Sequence, residues 1–97
     1  MKDQLLENMN MLEIMIRAES SRQVEKWGVQ DRSPFEWLTY IIEEVGELAD
    51  AIQACEYQGE DPQQVVTEAV QAATLCLKVA EMHIPPHETT PDKEVAA

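Results

Sequence analysis

The chain has 97 residues, and its 19 acidic side chains outnumber its 7 basic ones, which gives a formal charge of −12 at pH 7. A chain of this length forms one domain. Phosphate backbones and anionic lipid surfaces are bound through clustered Lys and Arg, so the charge argues against nucleic-acid polymers and membranes as partners. No apolar run approaches the roughly 20 residues that cross a bilayer, and no secretory signal pattern is present, so we expect a cytoplasmic protein.

The first half of the chain is predicted to form two helices. Apolar residues recur at spacings of three and four in the first stretch, which predicts a helix to about Glu25, and Trp27-Gly28 breaks it. The segment Ser33-Pro34-Phe35-Glu36 has the form of a capping box, in which Ser and Glu satisfy each other's backbone N–H groups. A second helix is therefore expected from this box to about Tyr57, with Gly59 closing it.

A third helix and a tail complete the chain. Asp61-Pro62 supplies a cap and a first helical residue, and apolar periodicity continues to about Met82, before Pro85-Pro86. The last residues are polar and are expected to form a flexible tail over 85–97, which leaves a single all-α domain over 1–84. Three amphipathic helices give a thin core, so we expect a homodimer or homotetramer whose helices complete a shared bundle.

The two cysteines, Cys55 and Cys76, lie in apolar stretches of the second and third predicted helices. A reducing cytoplasm would keep them as free thiols, which behave as small apolar side chains. Both are therefore expected to be buried and unpaired.

The acidic residues are concentrated in the middle of the chain. No Lys or Arg lies between Ser33 and Leu77, and the acids of that segment are Glu36, Glu43, Glu44, Glu47, Asp50, Glu56, Glu60, Asp61 and Glu68. Like charges one helical turn apart repel each other, and helix caps or turns explain only some of these residues. The acids between Glu43 and Asp50 lie in mid-helix and have no such explanation.

Helical projection places Glu44 at the edge of the apolar arc of the second helix, with Glu47 about 60° away from it. That arc, which we expect to be buried, consists of Trp37, Leu38, Ile41, Ile42, Val45, Leu48 and Ile52. A carboxylate at such an edge is costly unless a cation meets it. If the third helix brings Glu68 and Gln71 alongside, three carboxylates and an amide would suit Mg²⁺ or Mn²⁺. The alternatives are a solvated acidic face and a rim position for Glu68.

The acidic segment resembles a motif of a known family. The segment Glu43-Glu44-Val45-Gly46-Glu47, followed by Asp50, resembles the EExxE motif of the MazG-like, all-α nucleoside triphosphate pyrophosphohydrolases. Glu68-Ala69-Val70-Gln71 stands where that family carries ExxD, and Lys26-Trp27-Gly28-Val29-Gln30 is similar to the Trp-containing segment that precedes EExxE. The likeness spans most of the chain.

The resemblance implies hydrolysis of a nucleoside triphosphate between its α and β phosphates, which gives a nucleoside monophosphate and pyrophosphate. It also implies Mg²⁺ as cofactor, with Mn²⁺ as a possible substitute, and a dimer or tetramer. Carried over by position, the metal ligands are Glu44, Glu47, Glu68, Gln71 and Asp50. Gln71 departs from the Asp of the motif, and the loss of one negative charge weakens metal affinity. Glu43 is the candidate for accepting the proton of the attacking water.

The candidates for binding the rest of the substrate are Lys26, Trp27, Gln30 and Lys78. Lys78 could meet a leaving phosphate, with Lys26 and Arg22 as similar candidates at the end of the first helix, and an indole could stack on a nucleobase. Lys78 has an alternative role as a surface lysine paired with Glu81, and Trp37 is expected in the core.

Two interpretations from other classes compete with the enzyme. Because Gln71 replaces an acid, the chain could be a catalytically impaired nucleotide-sensing dimer. It could also be a plain helical protein-interaction or oligomerisation domain. Measurement of pyrophosphate release separates the enzyme from both, and metal-dependent thermal stabilisation separates a sensor from a plain oligomer.

Overall fold

The computed structural model describes the backbone of residues 4–85 and the side chains of residues 7–85. Within that range the chain is all-helical, with α1 (Gln4–Trp27), α2 (Pro34–Gln58) and α3 (Pro62–Met82), and it contains no strand. None of these helices combines the length and the hydropathy that a bilayer-spanning segment needs. The predicted all-α class and the three helices are therefore confirmed, whereas residues 86–97 of the predicted tail lie outside the described residues.

The end of α1 is set by a glycine. Gly28 has a φ of 78° and its backbone N–H donates to the carbonyl oxygen of Val24 at 2.7 Å. Only a residue without a Cβ adopts this left-handed conformation at no steric cost. The helix ends at Trp27, two residues beyond the predicted end at Glu25.

The capping box of α2 is formed as predicted. The backbone N–H of Ser33 donates to the Glu36 carboxylate at 2.9 Å, and the backbone N–H of Glu36 donates to the Ser33 hydroxyl at 3.2 Å. The bond from Ser33 lowers the pKa of Glu36 below its ordinary value, because it stabilises the charged form. At the other end Gly59, with a φ of 70°, closes the helix.

The start of α3 also follows its local sequence. The Asp61 carboxylate accepts from the backbone N–H of Gln63 at 2.9 Å, and Pro62 occupies the first helical position. The helix ends at Met82, as predicted. Because only residues 59–61 separate α2 from α3, the chain reverses direction there, and the two helices pack side by side.

The third helix is the central element of the described chain. It packs against both α1 and α2, whereas no Cα atom of α1 lies within 8 Å of one in α2. The core between the helices is thin and consists of Ala51, Val70, Ala72, Thr74 and Leu75. The Thr74 hydroxyl is satisfied there by donating to the Val70 carbonyl at 2.7 Å. Because α1 and α2 meet only α3, an open cleft separates them.

Two burial predictions need correction for the isolated chain. Of the predicted apolar arc of α2, only Trp37, Ile41 and Leu48 are even half-buried, and the other members are exposed. The reason is that α2 has one packing partner, α3, which covers a narrow stripe and leaves the rest of the arc in water. Cys55 is half-buried and Cys76 is exposed, so the expectation that both are buried is wrong.

Candidate metal site and cleft

Three carboxylates converge where α2 packs against α3. One carboxylate oxygen from each of Glu44, Glu47 and Glu68 lies within 4.8 Å of the other two. Glu44 and Glu68 are half-buried, and Glu47 is exposed. Glu44 and Glu47 are three residues apart and share a face of α2, while the antiparallel neighbour α3 supplies Glu68. The structure therefore brings together the three acids that were predicted to form one group, which we call the acidic cluster.

Two glutamines of α3 partner the acidic cluster. In the orientation that satisfies its hydrogen bonds, the Gln71 amide nitrogen donates to Glu68 Oε2 at 3.1 Å and to Glu44 Oε2 at 3.2 Å. The Gln64 amide nitrogen donates to Glu68 Oε1 at 3.0 Å. If the Gln71 amide turned over, its oxygen would join the carboxylate oxygens of the cluster. Gln71 is thus placed to stabilise the cluster as a donor or to extend it as an oxygen ligand.

Within the acidic cluster, burial and neighbouring negative charge disfavour the charged form of Glu44. Burial, followed by the negative charges of Glu47 and Glu68, raises the pKa of Glu44 to about 7. Hydrogen bonding with the same two carboxylates further favours the protonated form and so also raises the pKa of Glu44. At neutral pH the cluster therefore holds either a proton on Glu44 or uncompensated negative charge, and both are states that a cation would relieve.

A cleft of about 620 Å³ runs from the acidic cluster along the gap between α1 and α2. Glu43, Glu44 and Gln71 line one part of it, and Trp27 with the loop that follows α1 lines another. This volume lies within the usual range for small-molecule sites. The predicted base and two predicted ligands thus share a cavity with the predicted aromatic residue Trp27.

Each of three aromatic rings on the cleft lies beneath a cation. Lys26 Nζ lies 4.7 Å from the centre of the Trp27 ring, Arg32 Cζ lies 4.8 Å from that of Tyr40, and Lys78 Nζ lies 5.9 Å from that of Trp37. Trp37 and Tyr40 also meet edge to face, with ring centres 6.4 Å apart. Contacts of this kind hold a cation over the face of each ring. The cleft wall is therefore cationic and aromatic, whereas its end at Glu44 is acidic.

The predicted substrate-binding residues divide between the cleft and its surroundings. Trp27, Gln30 and Lys78 line the cleft, and Lys26 does not. The Lys78 amine lies 3.5 Å from the Ser20 hydroxyl, and no ion pair to Glu81 is found among the described residues. Trp37, expected in the core, is half-buried and forms part of the cleft wall. Asp50 is exposed and belongs neither to the acidic cluster nor to the cleft wall.

Sequence reasoning missed several cleft residues, among them Glu19, Arg32 and Tyr40. Tyr40 projects about 40° from Glu44 on α2, so helical projection could have found it. Arg32 lies in the loop before α2, where periodicity gives no direction, and its Nε donates to Gln30 at 2.8 Å. Glu19 belongs to α1, and only the packing of α1 on α3 brings it to the cleft.

Comparison with protein-family models, with curated proteins and with solved structures finds no match to this chain. The resemblance to the MazG-like pyrophosphohydrolases therefore stays a prediction that rests on the three sequence motifs. Those motifs and the geometry of the acidic cluster and the cleft are the basis on which a function can be proposed.

Proposed function

We propose that the protein is a Mg²⁺-dependent nucleoside triphosphate pyrophosphohydrolase, which cleaves between the α and β phosphates to give a nucleoside monophosphate and pyrophosphate. One observation carries the proposal: the carboxylates of Glu44, Glu47 and Glu68 converge beside a cleft lined with aromatic and cationic side chains. A hard cation at the cluster suits a triphosphate, while the ring faces suit a nucleobase. The ordered EExxE and ExxQ motifs support the same function.

The donor set fits Mg²⁺ or Mn²⁺. Three carboxylates and one amide oxygen are hard ligands, and such ions usually keep water molecules and substrate phosphates in the remaining positions. The raised pKa of Glu44 supports this fit, because crowding of negative charge is what a bound cation would offset. Gln71 would have to turn its amide oxygen toward the cluster, which exchanges its two hydrogen bonds for a metal contact.

The side chains of the cleft have separate parts in the proposed reaction. When bound, Mg²⁺ would offset the charge of the triphosphate and lower the pKa of a nearby water. Glu43 is exposed on the cleft wall beside Glu44, so its carboxylate can take the proton of a water that attacks the α-phosphorus. The bond from that phosphorus to the bridging oxygen breaks, and pyrophosphate leaves. Lys78, held over Trp37, can offset the charge of the leaving group.

The test is an assay of pyrophosphate release from each common ribo- and deoxynucleoside triphosphate with Mg²⁺ and with Mn²⁺. We expect release with at least one of them. Glu44→Gln and Glu47→Gln should each lower the activity at least about 100-fold, because loss of a metal ligand should cost more than the roughly 10–100-fold that follows loss of a residue supporting one. Glu56→Gln, an exposed acid of α2 away from the cluster, is the matched control and should retain activity. Absence of release with every substrate and both metals would refute the enzyme.

The same experiment covers the catalytically impaired sensor. Gln71 satisfies Glu44 and Glu68 by hydrogen bonds without any metal, an arrangement that also suits a protein whose metal affinity is low. If a Mg²⁺–nucleotide complex raises the melting temperature while no pyrophosphate appears, binding without turnover is the function.

The proposal includes a second copy of the chain. Exposed apolar side chains follow one another along α2 at spacings of three, four and seven residues: Phe35, Leu38, Ile42, Val45 and Ile52. A charge-free stripe of this length is unusual on a monomer and is typical of a helix–helix interface. In so acidic a chain, a second copy can approach this stripe without bringing like charges together. We therefore propose that pairing through α2 completes the bundle in a homodimer or homotetramer.

A further inference from the structure

The ion pair between Glu19 and Arg22 on α1 is held more tightly than an ordinary helix-surface pair. Arg22 Nε donates to Glu19 Oε1 at 3.0 Å and Arg22 Nη2 donates to Glu19 Oε2 at 2.7 Å, so the contact is bidentate. The amide of Gln23 donates to the same carboxylate at 2.7 Å. The Glu19 side chain is only 10% exposed, and the bond from Arg22 lowers its pKa. Bidentate, charge-assisted bonds of this kind fix the plane of a guanidinium.

The ion pair between Glu19 and Arg22 lies at the cleft. Both members of the pair line the cleft, and Arg22 Cζ lies 5.8 Å from the centre of the Trp27 ring. Arg22 is also close enough to Glu44 on α2 to interact with its charge, although the backbones of α1 and α2 do not meet. Arg22 and Glu44 thus line the same cleft from two helices whose backbones do not meet.

The bonds of Arg22 leave one edge of its guanidinium available. A guanidinium has five N–H donors, and Glu19 takes one from Nε and one from Nη2. The remaining donors, on Nη1 and Nη2, lie on an adjacent edge of the same plane. Such an edge matches two oxygens of a phosphate group.

We infer that Arg22 binds a phosphate group of the ligand in the cleft and that Glu19 is a positioning residue, which holds the guanidinium in the plane that this contact requires. The inference rests on the proposed function for the identity of the ligand, a polyphosphate carried on Mg²⁺. It makes α1 a necessary part of the site, because α1 then supplies the phosphate contact opposite the carboxylates of α2 and α3.

The pair of Glu13 with Arg17 gives a matched control on the same helix. Arg17 also makes two bonds to its partner, at 2.9 and 3.1 Å, but both go to one oxygen, and the two side chains are 77% and 56% exposed. Neither residue lines the cleft that contains Arg22. Replacement of this pair changes the same residue types on the same helix without touching the site.

The test measures binding of Mg²⁺ with inorganic tripolyphosphate by calorimetry, and the steady-state kinetics of nucleotide hydrolysis. Loss of a charge-assisted bond should weaken tripolyphosphate binding about 10- to 100-fold in Arg22→Gln, and Arg17→Gln should bind like the unaltered protein. Glu19→Gln should weaken binding less, and Glu19→Gln with Arg22→Gln should be no weaker than Arg22→Gln alone, because Glu19 acts through Arg22. Arg22→Lys keeps the charge without the planar fork and should recover only part of the affinity.

The outcomes separate this inference from the proposed function. If nucleotides are not hydrolysed but tripolyphosphate binds and Arg22→Gln weakens it, the enzyme fails and the phosphate contact stands. Tripolyphosphate that does not bind the unaltered protein, or that binds Arg22→Gln and Arg17→Gln equally, overturns the contact. Additive losses in Glu19→Gln and Arg22→Gln overturn the positioning role. In the kinetics, Arg22→Gln should raise KM by a larger factor than it lowers kcat, which would indicate a role in substrate binding. A general loss of structure would not produce this pattern.

Discussion

In the orientation that satisfies its hydrogen bonds, Gln71 on α3 donates to Glu44 on α2, with its amide nitrogen 3.2 Å from Oε2 of the carboxylate. The contact joins Glu44, whose pKa is raised to about 7, to the Gln that stands where the resemblance predicts an Asp. An Asp at position 71 would add a negative charge to three that already crowd one another. The Gln side chain instead donates to two of these carboxylates and so stabilises the cluster.

The pH dependence of stability should reveal the crowding of charge at Glu44. Its pKa is raised from an ordinary 4.5 to about 7, so the folded protein binds this proton more tightly than the unfolded chain does. The free energy of unfolding of the metal-free protein should therefore fall as pH rises from about 4.5 through about 7. Across this range the melting temperature should change less with pH in Glu44→Gln than in the control Glu56→Gln. An equal dependence on pH in the two variants would contradict the assignment.

Mg²⁺ should act in the opposite direction at high pH. A carboxylate must lose its proton to bind a metal, so the rise in melting temperature with millimolar Mg²⁺ should be larger at pH 8 than at pH 5. A rise of the same size at both pH values, or one that survives in Glu44→Gln, would place the binding elsewhere.

Replacement of Gln71 by Asp should lower the stability of the metal-free protein and raise its affinity for Mg²⁺. Gln71→Asp removes two hydrogen bonds to carboxylates and adds a charge, so without metal the folded state should lose roughly 1–3 kcal/mol. Mg²⁺ should bind this variant more tightly, because it restores a charged oxygen ligand. Gln71→Leu, which removes the donors without adding a ligand, should be destabilised and should bind Mg²⁺ more weakly. Titration of the melting temperature with MgCl₂ measures both effects, and unchanged affinity in Gln71→Asp would exclude position 71 as a ligand.

Trp27 should contribute to nucleotide binding by stacking. Its ring is 53% exposed and lines the cleft, and stacking of a base on an aromatic side chain is worth about 1–3 kcal/mol. Trp27→Ala should therefore raise KM roughly five- to hundredfold while kcat changes little. Tyr57→Ala removes an aromatic residue on α2 that is 86% exposed and does not line the cleft, so this variant is the control. An unchanged KM in Trp27→Ala, with a raised KM in Trp37→Phe, would show that the base lies on Trp37 instead.

The exposed apolar stripe of α2 should control the oligomeric state. Ile42 is 62% exposed, and Ile42→Glu would place a charge in the proposed interface, so the variant should elute as a monomer in chromatography with light-scattering detection. Ile14→Glu changes an isoleucine of α1 that is 67% exposed and should leave the mass unchanged. A monomeric unaltered protein at tens of micromolar concentration, or an assembled Ile42→Glu, would contradict pairing through α2.

The helices could be predicted because their ends depend on neighbours in sequence. The capping bonds between Ser33 and Glu36 span three residues, and the Asp61 cap spans two, so both were visible in the residue order. The grouping of Glu44 with Glu47 is equally local, since it follows from the helical repeat. Glu68 could be added to this group only by assuming that the third helix packs antiparallel to the second. In the structure α3 does pack alongside α2.

Other features depend on how the helices are rotated and how far apart they lie. Which part of the apolar arc of α2 is covered depends on the width of its contact with α3, so Ile42 and Val45 could not be separated in advance from Ile41 and Leu48. The same holds for Cys76, whose apolar sequence neighbours gave no sign that it faces water.

The sequence by itself determined three helices with their caps and the mid-helix acids at positions 43–50, because these depend on bonds and repeats within one helix. Only the tertiary structure decided that α1 and α2 stand apart on α3, and this separation opens the cleft. It also decided that Glu19 and Arg22 line the same cleft as Glu44. Packing likewise determines which of the described carboxylates leave water, so Glu44 and Glu68 are half-buried in the acidic cluster while Glu47 stays exposed.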